Sequence, residues 1–322
     1  MRRNQHARAL VVCTVSLAAC TTAGAPEVPE PRAHHQLVYH EGQQRAFLFG
    51  GSTPRGDGHH FFDDIWSWDG TAWQRAGSLP FPRSSHRVAW HSAHSAMVLF
   101  GGGSGRTFAA DSLFRAWDGA GWQAVGHSPY GGLGEPGMCH DRKRSRLVLF
   151  GGWDAANRFH GGTWEWTGDT LLNIAATGPP ARGGHMFVYD PHRERCLLFG
   201  GLSDDGVLAD TWEFDGTAWR QIHTSGPAAR MIGGAATDHA NDRIILFSGW
   251  TADQTLLDDT WAWDGETWEL ISRGGPVPRI SAQLAFDGTG VVLFGGRTRT
   301  TDGFRDLNDT WRLQGRNWVR MR

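Results

Sequence analysis

The chain is expected to fold as an all-β protein, a six-bladed β-propeller with four antiparallel strands in each blade. Three observations carry that expectation. A phenylalanine preceding a glycine pair recurs at Phe49, Phe100, Phe150, Phe199, Phe247 and Phe294, in steps of 51, 50, 49, 48 and 47 residues. Apolar runs precede each pair, and Asp-Gly turns flanked by tryptophans follow it. A period of this length marks units that cannot bury their apolar faces alone and must pack against their neighbours. The six units therefore form one domain, although 322 residues would otherwise suggest two.

The N-terminal stretch "MRRNQHARALVVCTVSLAAC" has a basic start (Arg2, Arg3, Arg8), an apolar run too short to span a bilayer, and small residues. It reads as an export signal and not as part of the fold. Its end, Leu17-Ala18-Ala19-Cys20, resembles the lipobox of bacterial lipoproteins, which implies cleavage after residue 19 and lipidation of Cys20. Residues 20–31, with "TTAGAPEVPEP", read as an extended tether, and 32–322 as the propeller. The chain is then exported and held on a bacterial membrane, on its periplasmic or extracellular face, by the lipid alone.

Removing residues 1–19 takes away three arginines and no acid, moving the formal charge from −2 to −5. With no basic excess and no basic run, nucleic acid is not expected as a partner. Cys13 leaves with the signal, and Cys139 and Cys196 remain. No disulfide framework is indicated. Aligned on the repeat, Cys139 shares its place with Val38, Ala89, Val188, Ala236 and Ala285, and Cys196 with Ala46, Met97, Leu147, Ile244 and Val291. Both read as small buried apolar residues.

Within a repeat, strand one is a short apolar segment such as "HMFVYD", followed by a polar turn such as "PHRER". Strand two, "CLLFGG", is apolar at consecutive positions, which suits a strand buried on both faces. The second glycine is kept in every copy (Gly51, Gly102, Gly152, Gly201, Gly249, Gly296), whereas Ser248 replaces the first in the fifth. The second place should therefore exclude a Cβ. Strand three alternates, putting Trp66 and Trp68, Trp164 and Trp166, or Trp261 and Trp263 on one face. If Asp-Gly forms a two-residue hairpin turn, Trp66 lies opposite Trp73, Trp212 opposite Trp219 and Trp261 opposite Trp268 on strand four.

The glycine pair, the spaced tryptophans and the starts "PFPR", "PPAR", "PAAR" and "PVPR" resemble kelch repeats across roughly residues 32–322. That resemblance implies a β-propeller. The first repeat starts at "PRAHHQLVYH" and the last ends on "NWVRMR", so the ring should close by blade packing without a shared strand.

Strand alternation places the starts of strand one, the glycine pairs and the loops to strand three on one face, which is the expected binding face. It carries Arg32, Arg83, Arg182, Arg230 and Arg279, with Leu133 in the sixth place. Around a channel mouth they would concentrate positive potential on an acidic protein. Alternatively each pairs with the aspartate opening strand three: Asp64, Asp210, Asp259 or Asp309. The third repeat has lost both members, to Leu133 and Gly162; the second keeps Arg83 although Leu113 replaces the acid. His35, His86 and His185 follow an arginine by three residues and should make local hydrogen bonds; they sit in blades that are not all adjacent, so no shared metal is expected.

The loops 52–63 and 297–308 each have 12 residues, against 8 to 10 elsewhere. On ring closure they would form one raised wall bearing Arg55, His59, His60, Arg297, Arg299 and Arg305. The expectation is a monomeric binding module, without cofactor or catalytic residues, for a protein or glycan of acidic character. The alternative is a sugar-active enzyme. Galactose oxidase also has kelch-like repeats, but Tyr39, Tyr130 and Tyr189 do not supply its copper site. A sialic-acid mutarotase is an exported kelch propeller, and similar activity would need a carboxylate of raised pKa near the arginines. Glu135 is the candidate, with an exposed loop position as its ordinary reading.

Overall fold

A computed structural model describes residues 27–104, 111–174 and 177–321. The signal, the lipobox with Cys20 and most of the tether lie outside the described residues. The rest is all-β, with six four-stranded antiparallel sheets and no α-helix among the described residues. Blade four is representative: strand one is Met186–Asp190, strand two Arg195–Ser203, strand three Gly206–Phe214 and strand four Trp219–Ile222.

The centre of strand two, residues 196–201, is buried because its two faces enter two different seams. Cys196 and Leu198 pack with Val148 and Phe150 of blade three. Leu197 and Phe199 pack with Ile244, Leu246 and Trp263 of blade five. Six such clusters fill the six seams, so the core of this protein is a ring of interfaces.

All four strands of blade one come from Gln36–Ser78, and all four of blade six from Gln283–Arg320. The ring closes without strand exchange, as expected. At that seam Trp73 Nε1 donates to Thr310 Oγ1 (2.9 Å), and Arg32 N and Gly296 N donate to Leu307 O and Arg32 O. The same tryptophan-to-threonine bond joins Trp219 to Thr163, Trp268 to Thr211 and Trp318 to Thr260.

The tryptophan register differs from the expectation. Trp68 pairs with Trp73 and Trp66 with Arg75; likewise Phe214 pairs with Trp219 and Trp263 with Trp268. The turn has four residues, because Asp69 Oδ1 accepts hydrogen bonds from Thr71 N and Ala72 N (both 2.9 Å). An aspartate that caps its own turn in this way lengthens the loop by two residues over a simple Asp-Gly hairpin.

Gly201 shows why the second glycine is kept. Its φ is +100°, and a Cβ would lie 2.8 Å from His185 Cβ. The first position is also left-handed. Ser248, at φ 60°, is accommodated there because its hydroxyl reaches Arg279 O (2.6 Å).

Candidate functional site

The channel has two different mouths. At the mouth where strand one begins, four arginines are sealed from solvent: Arg32, Arg182, Arg230 and Arg279 are each 0% exposed. Arg182 donates to Pro180 O, to Gly200 O and through both terminal nitrogens to Asp210 (2.6 and 2.8 Å), and Asp210 accepts from Trp212 Nε1 (2.7 Å). Arg32 with Asp64 and Trp66, Arg230 with Asp259 and Trp261, and Arg279 with Asp309 and Trp311 repeat this clasp. The pairing read from the sequence is therefore the one these residues adopt. Their carboxyls, pushed up by burial, are held below the ordinary aspartate range by the guanidinium and the indole.

Blade two keeps a clasp that the sequence hid. Asp111, two residues before Leu113, accepts from Arg83 (3.3 Å) and from Arg115 (2.9 Å), which stands where other blades have the tryptophan.

Two residues after each arginine, and after Leu133 in blade three, the chain enters the left-handed region: His34, Ser85, Glu135, Gly184, Ile232 and Ser281 have φ between 43° and 62°. These six positions ring the channel, and backbone bonds run between them, as from Ser85 N to His34 O and from Glu135 N to Ser85 O. Glu135 is 4% exposed and not an exposed loop residue. Its carboxylate accepts from His34 Nδ1 (2.9 Å) and Ser85 Oγ (3.2 Å), closing this mouth. Burial pushes the carboxyl up, but the His34 hydrogen bond and the nearby Arg87 outweigh it and hold the group below the ordinary glutamate value. That is opposite to the shift a general acid would need at neutral pH.

His35, His86 and His185 are buried, and their ring nitrogens have no hydrogen-bond partner, contrary to the local bonding expected. They fill seams. The His185 ring packs edge-on to Phe150 of blade three (5.6 Å), and His35 to Phe294 of blade six (5.5 Å). Burial lowers all three pKa values, that of His35 to about 3, so the rings are neutral.

The two long loops are two-stranded hairpins, Ser52–Arg55 with Gly58–Phe61 and Arg297–Thr300 with Gly303–Asp306. Arg55 pairs with Glu30, His59 is exposed and His60 packs on Phe62. Arg297 is bound to Asp306 on its own hairpin, while Arg299 reaches Gln254 and Phe304 packs on Trp250 in blade five. Among the described residues no hydrogen bond or ion pair joins the two hairpins. The sixth leans towards blade five and not towards the first, so the two do not form one wall.

The other mouth is open. One equivalent position on each strand one supplies Tyr39, Trp90, His140, Tyr189, Thr237 and Phe286, which together line a cavity of about 210 Å³. Tyr39 packs edge-on against Phe286 (5.2 Å), and His239 against Phe286 (5.0 Å). At the rim Arg142 lies between Glu41 (2.6 Å) and His239 (3.4 Å). The result is an aromatic collar with hydrogen-bonding groups around its edge. Sequence reasoning missed it; a signal was available, since five of the six aligned positions carry an aromatic or imidazole ring.

No family model matches this chain, and no curated protein matches it.

Proposed function

We propose that this protein is an exported, lipid-anchored kelch-type propeller of the cell envelope. In this reading it acts as a monomeric binding module for a glycan or protein ligand, and holds a saccharide in the collar of its channel. The observation that carries the reading is the collar of Tyr39, Trp90, His140, Tyr189 and Phe286 around a cavity of about 210 Å³. Aromatic rings offer flat apolar faces to the C–H side of a sugar, while Arg142, Glu41, Thr237 and His239 offer donors and acceptors to its hydroxyls. The arginine-bearing mouth offers less, because its guanidinium groups are engaged by aspartates and its centre is closed by Glu135 and His34.

The tether supports the same mouth. The twelve residues from a lipidated Cys20 to residue 31 span at most about 40 Å, and strand one begins at the arginine-bearing side. The collar then faces away from the membrane.

The test is an array of neutral and acidic oligosaccharides probed with the soluble Cys20→Ala protein and with the same protein carrying Trp90→Ala. Binding of a saccharide by the first and a loss of tenfold or more in the second is the expected result. Equal affinity of the two would remove the collar from the reading, and Cys20→Ala remaining in the membrane fraction would remove the lipid anchor.

A sugar-active enzyme is the second reading; it rests on the cluster of Glu135, His34 and Arg87 inside the channel, and the lowered Glu135 carboxyl counts against it. Anomer exchange of an acidic sugar that disappears in Glu135→Gln would support it; exchange at the uncatalysed rate in the wild-type protein would exclude it.

A further inference from the structure

We propose that Cys139 and Cys196 form a disulfide that ties blade three to blade four. Cys139 lies on the first strand of blade three and Cys196 on the second strand of blade four, and their sulfurs are 2.6 Å apart.

The contact is a fixed feature of the ring. In every seam the residue at the Cys139 place packs in the same cluster as the residue at the Cys196 place of the following blade. The pairs are Val38 with Met97, Ala89 with Leu147, Val188 with Ile244, Ala236 with Val291 and Ala285 with Ala46. All of these are apolar. Only at the seam of blades three and four are both places cysteine, and there they meet. Two cysteines reading independently as small core residues need not have fallen on the two halves of one contact. If Cys13 and Cys20 are consumed by cleavage and lipidation, these are also the only free thiols of the mature chain.

Bond formation takes two protons and two electrons from the two thiols. An oxidant of the disulfide class supplies the balance: one thiolate attacks it to give a mixed disulfide, the second thiolate displaces that link, and the oxidant leaves as two thiols. The step belongs to folding. In the folded ring Cys196 is 0% and Cys139 5% exposed, and burial together with the neighbouring thiol pushes the Cys139 thiol up, which keeps it protonated and unreactive. The oxidising surroundings rest on the export reading; the pairing rests on the seam alone.

This seam lies across the ring from the seam of blades six and one, where the first and last blades meet without a shared strand. A covalent tie here holds two neighbouring blades while the ring closes opposite them.

The experiment uses the full chain expressed with its own leader. Protein from the envelope fraction is denatured, alkylated without reductant and digested. The expected result is a linked pair of peptides containing Cys139 and Cys196, with neither residue alkylated until reductant is added. Both residues alkylated in unreduced envelope protein would overturn the proposal. If the protein is found only in the cytosol, the export reading fails, and reduced chain is then refolded in oxidised and reduced glutathione. The linked peptide in that product upholds the pairing; free thiols in folded product overturn it. Reduction should lower the melting temperature by roughly 5 to 10 °C, and the Cys139→Ala, Cys196→Ala protein should melt at one temperature with or without reductant. A double variant that remains sensitive to reductant would also count against the bond.

Discussion

Blades three and four are neighbours built on the same repeat, and four of their differences fall at the clasp and the seams. Blade four has Arg182, His185, Asp210 and Trp219 where blade three has Leu133, Pro136, Gly162 and Leu171. The strand register is nevertheless the same, with Phe199 opposite Thr211 in one and Phe150 opposite Thr163 in the other. The clasp therefore does not specify the blade; the apolar seams do.

The comparison also shows that the clasp is one unit. In blade three the arginine and the aspartate are both gone, and Trp164 Nε1 is left buried with no partner, its ring lying over Gly162 where a side chain would meet it at 2.5 Å. In blade two the acid has moved to Asp111, and both Arg83 and the replacement Arg115 follow it. At the clasp, a guanidinium without a carboxylate is found in neither blade, as expected when an unpaired buried charge costs more than the pair contributes.

The largest effect is expected where blade four has a seam contact that blade three lacks. Trp219→Ala empties a large buried site and removes the bond to Thr163, and should cost about 4 to 5 kcal/mol in urea unfolding, against about 1 kcal/mol for Leu171→Ala. Equal losses would show that the two seams are held alike.

Asp210→Ala comes next. It strands Arg182 inside the blade and should cost about 3 kcal/mol. A smaller effect is expected from Arg182→Leu combined with Asp210→Gly, which gives blade four the residues of blade three. Its unfolding free energy should stay within about 1 to 2 kcal/mol of wild type, because charge and countercharge leave together. If the double variant is less stable than Asp210→Ala, the clasp is more than a self-compensating pair.

The smallest effect concerns pH. The buried His185 ring has a folded pKa well below 6.5, so protons bind preferentially to the unfolded chain. Its contribution is fully present above pH 6.5 and falls as the pH drops towards the folded value. His185→Leu should leave the melting temperature at pH 7.5 nearly unchanged and reduce its fall between pH 7.5 and 5. An unaltered fall would mean that the ring accepts a proton in place.

Much of this molecule could be read from one dimension. The spacing of Phe49 to Phe294 determined the number of blades, the unbroken apolar run of Cys196 to Phe199 its two-faced burial, and the joint replacement of arginine and aspartate by Leu133 and Gly162 pointed to the pairing of Arg182 with Asp210. These features repeat along the chain, so local pattern and strand periodicity carry them. The tertiary structure decided what depends on how units meet. Asp69 could cap its own turn or leave a two-residue hairpin, and only the register of Trp68 with Trp73 shows which. Glu135 looked like a loop residue because nothing local reveals that a left-handed residue at this place points down the axis of a ring. The aromatic collar and the meeting of Cys139 with Cys196 were hidden for the same reason. Residues about 50 apart in sequence, each unremarkable within its own strand, are brought to one radius and one height by closure of the ring, and that distance is set by the packing of whole blades.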